Sequence, residues 1–274
     1  ARLQLTDWLP GRRDFPSQKF TNATPRPHLP YEEKSLAEAL KERGYATGHF
    51  GKWHLGEEPS GPLQHGFDVQ VPRWNKCCPN KSYHAPFGLE GLSDAPGDYL
   101  TDRLTEEALK YVEENKHRPF FLYLPHSSVH FPLYPGEAWA GKSPHGLYAD
   151  WVEETDWSVG RILDTLRELG LDRRTLVVFT SDNGGTARGS NAPLKGHKGS
   201  TWEGGVRAPT IAWWPGRIPA GTSNAAITGM FDLHPTFAQF AGAKLPDRKL
   251  DGLDLSPLLL GVDGAKGHEE FLYY

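Results

Sequence analysis

Thr175-Leu176-Val177-Val178-Phe179-Thr180-Ser181-Asp182-Asn183-Gly184-Gly185 is the run from which the fold can be read. Its opening, apolar and rich in β-branched residues, predicts a strand at 175–179 buried on both faces of a sheet. An acid and an amide follow at once, then two glycines that permit a sharp turn. Ligands of open α/β sheets gather just beyond the carboxyl ends of the strands. Asp182 and Asn183 would present hard oxygen atoms there, the donors that Ca²⁺ or Mg²⁺ takes. The same four residues also compose an ordinary turn, so the reading needs support from the rest of the chain. Beyond them lie Lys195, His197 and Lys198. Positive charge beside a hard cation suits an anionic tetrahedral group, a sulfate or phosphate ester.

Working outward, strands and helices alternate. Upstream, Leu147, Trp151, Thr155, Val159, Ile162, Leu166 and Leu169 recur at helical spacing and predict a helix over 146–169, stopped by Gly170. A buried strand at 119–124 leads into His126 and His130. Helices are predicted over 98–116 and 32–43, and a strand over 45–50 runs into Gly51-Lys52-Trp53-His54. Downstream, strands are expected at 209–214 and 225–228 and a helix at 231–241. Residues 1–31 and 57–97 read as long loops; the second is rich in aromatics and is expected to line a substrate pocket. This alternation predicts a mostly parallel sheet with helices on both faces. Three predicted strands end in loops bearing Lys52/His54, His126/His130 and Asp182/Asn183. Their convergence on one sheet edge would override the plain-turn reading.

The 274 residues suit one large α/β domain. A net charge of −4 with 23% charged residues points away from nucleic acid and membrane surfaces. No apolar run nears the roughly 18 residues of a membrane span. The two cysteines, Cys77 and Cys78, are adjacent, which is neither a disulfide framework nor a zinc pattern. Asn22-Ala-Thr24 and Asn80-Lys-Ser82 match the glycosylation acceptor pattern. No signal peptide is visible, and a chain starting at Ala1 leaves the compartment open.

Gly44-Tyr-Ala-Thr-Gly-His-Phe-Gly-Lys-Trp-His-Leu-Gly56 resembles the second signature of the sulfatases. Phe120-Phe-Leu-Tyr-Leu-Pro-His-Ser-Ser-Val-His-Phe-Pro132 is similar to a later segment of that family. Ser181-Asp-Asn-Gly and Asn191-Ala-Pro-Leu-Lys-Gly-His-Lys-Gly-Ser-Thr-Trp-Glu-Gly-Gly-Val-Arg-Ala-Pro209 resemble the segment after it. The resemblance spans roughly residues 33–260 in family order. It implies an α/β fold, an alkaline-phosphatase-like α/β/α sandwich with a mostly parallel central sheet. The expected unit is a single sulfatase-type catalytic domain over 1–274, truncated at both ends. The implied activity is arylsulfatase-like hydrolysis of a small-molecule or carbohydrate sulfate ester, with one Ca²⁺ ion and a formylglycine nucleophile. By the same resemblance Asp182 and Asn183 are metal ligands, and Lys52 bridges sulfate and nucleophile. His54 accepts a proton during sulfate release, while His130 and Lys198 hold the sulfate and ease departure of the alcohol. His126 is an alternative to His130. A formylglycine-generating or anaerobic sulfatase-maturing enzyme would act on the full-length protein, and family habit places it in a secreted, periplasmic or lysosomal setting. His197 and Lys195 read as solvated, Glu203 and Arg207 as an internal ion pair, and Trp53, Trp202, Trp213 and Trp214 as packing.

One departure matters. The family's Cys/Ser-x-Pro-Ser-Arg nucleophile motif is absent between Ala1 and Gly44, as is the acidic pair that supplies further calcium ligands. Cys77-Cys78-Pro79-Asn80-Lys81 has Lys where Arg belongs and follows the second signature instead of preceding it, so it reads as coincidence. Calcium takes about 6–8 oxygens, more than Asp182 and Asn183 supply. A phosphoester hydrolase of the same superfamily and a non-catalytic sulfate- or sugar-binding pseudoenzyme are the alternatives. The 274-residue chain is expected to be inactive by itself; measurable arylsulfatase turnover would overturn this and bring Cys77 or Cys78 back as nucleophile.

Overall fold

A computed structural model describes residues 14–76, 78–79 and 82–271. Cys77, Asn80 and Lys81, with the expectations that fell on them, lie outside the described residues, as do 1–13 and 272–274. The chain forms two compact units, divided between Ile162 and Leu163.

The first unit is built on a three-stranded parallel sheet: β1 (Ala46–Phe50), β2 (Val69–Val71) and β3 (Phe120–Tyr123), in the order β2-β1-β3. All five residues of the central β1 are buried. Helix α1 (Leu36–Lys41) starts later than its sequence pattern suggests because Ser35 caps it. The Ser35 hydroxyl accepts the Glu38 N–H at 3.0 Å, and the Glu38 carboxylate accepts the Ser35 N–H at 2.7 Å. Helix α2 (Leu100–Asn115) buries Leu100, Leu104, Ala108 and Val112, one stripe at four-residue spacing. Helix α3 (Leu147–Glu168) begins in this unit and buries Trp151 completely. The 57–97 stretch contributes β2 and much of the core. Tyr83 stands edge-on to Trp151 at 4.9 Å, and Tyr83, Phe87 and Leu89 are all buried around it. These aromatics therefore pack against α2 and α3 instead of lining a pocket, because the apolar faces of those helices need cover.

The second unit holds β4 (Val177–Thr180), α4 (Glu203–Val206), β5 (Thr210–Trp213), α5 (Leu233–Ala241) and α6 (Ser256–Leu259). β4 pairs antiparallel with β5, Val177 opposite Trp213 and Thr180 opposite Thr210. The parallel character thus belongs to the first unit's sheet. Phe179 is 39% and Ile211 61% exposed, so β4 is not buried on both faces as its apolar run suggests. Among the described residues β5 is its one neighbour. At the expected 225–228 strand there is only a bridge between Ile227 and His268. Asp232, fully buried, holds that region by accepting from Gly229 N–H, Leu253 N–H and His268 Nε2 at 2.7, 2.8 and 2.8 Å. Among the described residues no helix is long and apolar enough to cross a membrane.

His49, on β1, is buried among the edges of Trp53, Phe67 and Tyr123, with ring centroids 5.5, 5.3 and 5.4 Å away. Burial pushes its imidazole down to about 4 from 6.5. Between those values the unfolded chain binds a proton that the folded chain refuses, so stability rises with pH. It is lost as pH falls from 6.5 toward 4, by about 3 kcal/mol for this one group. Urea midpoints measured across that window should fall steeply with acidification, and His49→Leu should flatten the slope.

Candidate functional site

Because β1 and β3 are parallel neighbours, the loops that leave their carboxyl ends start side by side. Residues 51–56 follow β1 and residues 124–132 follow β3. Gly51 N–H donates to the Val71 carbonyl and Lys52 N–H to the Pro125 carbonyl, both at 2.8 Å, so the first loop is stitched to both flanking segments. Gly51 sits at φ +127°, and a Cβ there would lie 2.2 Å from the Pro125 oxygen. Only glycine allows that approach. Trp53 turns inward and donates from Nε1 to the Ser60 carbonyl at 2.9 Å, the packing role expected of it. Lys52 and His54 on either side remain half-buried. His54 has φ +58°, the one non-glycine with positive φ among the described residues. That conformation is disfavoured for a side-chain-bearing residue. It is held by a 2.9 Å bond from His54 N–H to the Asn75 carbonyl, and the Asn75 side chain accepts from Gln70 Nε2 at 2.9 Å.

The two histidines after β3 face different surroundings. Nε2 of His126 lies 3.3 Å from Ser158 Oγ, which lies 2.6 Å from Thr105 Oγ1, so this ring joins an interior polar chain. Burial pushes its imidazole down to about 4, which keeps it neutral at neutral pH. His130 makes two contacts through Nδ1: the Phe131 carbonyl at 2.8 Å and the Cys78 thiol at 3.4 Å. A proton on Nδ1 donated to the Phe131 carbonyl leaves Nε2 as the basic atom. The position of Cys78 beside His130 could not be read from the sequence, since the two are 52 residues apart and no motif links them.

In the second unit a knot of backbone contacts gathers Asp182, Asn183 and Lys198. Gly184 N–H donates to the Gly205 carbonyl at 3.0 Å, and a Cβ on Gly184 would meet the Gly204 oxygen at 2.1 Å. The Gly185 carbonyl accepts from Lys198 N–H at 2.9 Å and from Asn191 Nδ2 at 3.0 Å. Asp182 is exposed; Asn183 donates from Nδ2 to the Gly184 carbonyl at 2.9 Å, which leaves its oxygen as the atom for a cation. The hard oxygens of both residues fit calcium chemistry. They make only part of a shell of about 6–8 donors, and no group of three or more His, Cys, Asp or Glu in metal-holding range occurs among the described residues. Lys195 and its neighbours depart in detail from expectation. Trp202 is 53% exposed and serves as a platform for the Lys195 ammonium, 3.7 Å from its ring centroid, instead of packing. Glu203 and Arg207 do pair, at 3.3 Å, but at the surface, where such pairs contribute at most about 1 kcal/mol. Trp214 packs on Phe240 at 5.2 Å and donates to the Arg173 carbonyl.

The family model "Sulfatase" matches residues 12–243. The chain belongs to the sulfatase family. It is 36% identical over 335 residues to mouse steryl-sulfatase, covering 90% of this chain and 54% of that protein. It is 40% identical over 272 residues to N-acetylgalactosamine-6-sulfatase of Canis lupus familiaris, covering 90% and 52%. A solved structure, Ps i-CgsB in complex with k-i-k-neocarrahexaose, superposes with a TM-score of 0.73 at 32% identity, over 85% of this chain and 59% of that one. The chain thus spans about half the length of the curated relatives it matches, and its fold is alkaline-phosphatase-like α/β, as the sequence implies.

The constraint at the β1–loop junction is testable. Gly51→Ala should lower stability by roughly 2 kcal/mol or more, because the methyl group collides with backbone and the φ is strained. Thermal unfolding compared with the exposed-loop control Gly88→Ala, where no atom stands near the added methyl but φ is again positive, separates the collision from the strain.

Proposed function

We propose that this chain carries most of the sulfate-binding and proton-transfer machinery of a sulfatase that hydrolyses carbohydrate sulfate esters. The observation that carries the reading is the Lys52–Pro125 backbone bond, which sets the Lys52/His54 loop against the loop bearing His130. Lys52 and Lys198 offset negative charge on the sulfuryl oxygens as it builds up, as preorganised groups do. In its imidazolium form, with Nδ1–H on the Phe131 carbonyl and a second proton on Nε2, His130 passes the Nε2 proton to the departing alcohol oxygen, and His54 accepts one as sulfate is released. Asp182 and Asn183 hold a Ca²⁺ ion, which when bound polarises the sulfate as a Lewis acid. The nucleophile, a formylglycine installed by a maturation enzyme, and the remaining cation ligands belong to the full-length protein. A secreted or lysosomal-type compartment accords with that maturation.

Carbohydrate is the favoured substrate class because one relative is named for N-acetylgalactosamine-6-sulfate and one structural neighbour is complexed with a neocarrahexaose. The full-length, matured protein should hydrolyse 4-nitrophenyl sulfate and sulfated galactosaminide oligosaccharides in preference to 4-nitrophenyl phosphate. Lys52→Ala and Lys198→Ala should each lower kcat/KM by about 10²-fold or more, and Asp182→Ala should weaken Ca²⁺ binding. A preference for the phosphate would favour the phosphoester-hydrolase alternative. Tight binding of the sulfated ligand without turnover would favour the pseudoenzyme.

A further inference from the structure

A cleft lies in the first unit, formed by residues with no part in the proposed sulfate chemistry. Trp139 and Trp157 meet at its wall with ring centroids 6.2 Å apart and planes inclined at 53°. Asp102, Ala138 and Lys142 complete the lining of an open cleft of about 330 Å³. This is within the size range of small-molecule sites, about 300–1,000 Å³. The chemistry of the lining is mixed in a particular way. Two indole faces offer broad apolar, π-rich surface, a carboxylate offers acceptors, and an ammonium offers donors. Asp102 Oδ1 is buried and has no hydrogen-bond partner among the described residues. Burial and the nearby Glu106 push its carboxyl up, while Arg161 pulls the other way. Arg161 also lies 5.3 Å over the Trp157 ring, which helps to fix the indole.

The cleft is preformed. Its 136–143 wall is bolted to α3 by two buried acids. Asp150 accepts the N–H groups of Gly141 and Ser143 at 2.8 and 2.6 Å, and Glu154 accepts that of Gly136 at 3.0 Å. The Tyr99 hydroxyl donates to the Tyr134 carbonyl at 2.6 Å and lies 3.1 Å from a Glu154 carboxyl oxygen. Trp157 stands on the same helix, about one turn beyond Glu154. The two indoles are thus held by a common, rigid support, so little ordering entropy remains for a ligand to overcome.

We propose that this cleft binds a pyranose ring of a carbohydrate chain. A pyranose has an apolar face of axial C–H groups and a rim of hydroxyls. The face stacks on the indoles while the rim meets Asp102 as acceptor and Lys142 as donor. The site requires neither a sulfate nor turnover, so it stands or falls apart from the hydrolase reading.

The test titrates the 274-residue chain with a chemically desulfated chondroitin hexasaccharide and with its 6-sulfated counterpart, followed by NMR of the indole N–H groups. Both saccharides should shift the Trp139 and Trp157 resonances. Trp139→Ala and Trp157→Phe should each weaken binding of the desulfated chain about tenfold, the loss typical of a removed aromatic anchor. Trp157→Phe retains a ring in the wall and protects against loss of fold, and the resonance shifts in the unsubstituted chain do not depend on any variant folding. The proposal is overturned if neither indole moves at saturating saccharide. It is equally overturned if only the sulfated chain shifts them, or if both variants bind as the parent does.

Discussion

The structure around the candidate site depends on one backbone contact, the approach of β1's exit to the segment leaving β3. Parallel pairing places the two strand ends at one edge, but pairing alone does not bring the loops within bonding distance. The Lys52 N–H bond to Pro125 does so, and it exists because Gly51 has no side chain to collide with that carbonyl. From this contact follow the inward turn of Trp53, the placement of Lys52 and His54 on either side of it, and the left-handed conformation at His54. The unfavourable backbone at His54 is compensated by packing and hydrogen bonds around it. Strain held by a rigid frame is a common feature of residues that must present a side chain in one direction.

The second unit solves the same problem by different means. Its loop has little regular secondary structure, so close glycine contacts and amide bonds take the place of sheet pairing. Gly184 lies against the Gly204 carbonyl, and Gly185 receives both Lys198 and Asn191. The segments bearing an acid, an amide and a lysine are thereby held together by backbone and amide contacts.

Much of this was legible in the sequence. The α2 stripe, the α3 periodicity, the strand at 45–50 and the loops bearing Lys52/His54, His126/His130 and Asp182/Asn183 follow from spacing and from glycine punctuation, which act locally. The readings that failed concern partners supplied at a distance. An apolar run such as 175–179 looks buried on both faces, yet burial depends on which strands flank it. Aromatics in a long loop look like pocket residues, yet Tyr83 and Phe87 are core because α2 and α3 present faces that need covering. Trp202 looks like packing and is instead a platform for Lys195.

The sequence by itself determined the family, the α/β class and the identity of the candidate chemical groups, because motif spacing and side-chain chemistry are properties of the chain. Tertiary structure alone decided their environments. It drew His126 into an interior chain with Ser158 and Thr105, set Cys78 beside His130, and closed Trp139 and Trp157 around a common cleft. Each of these relations joins residues well separated in sequence, and only packing determines which distant side chains become neighbours.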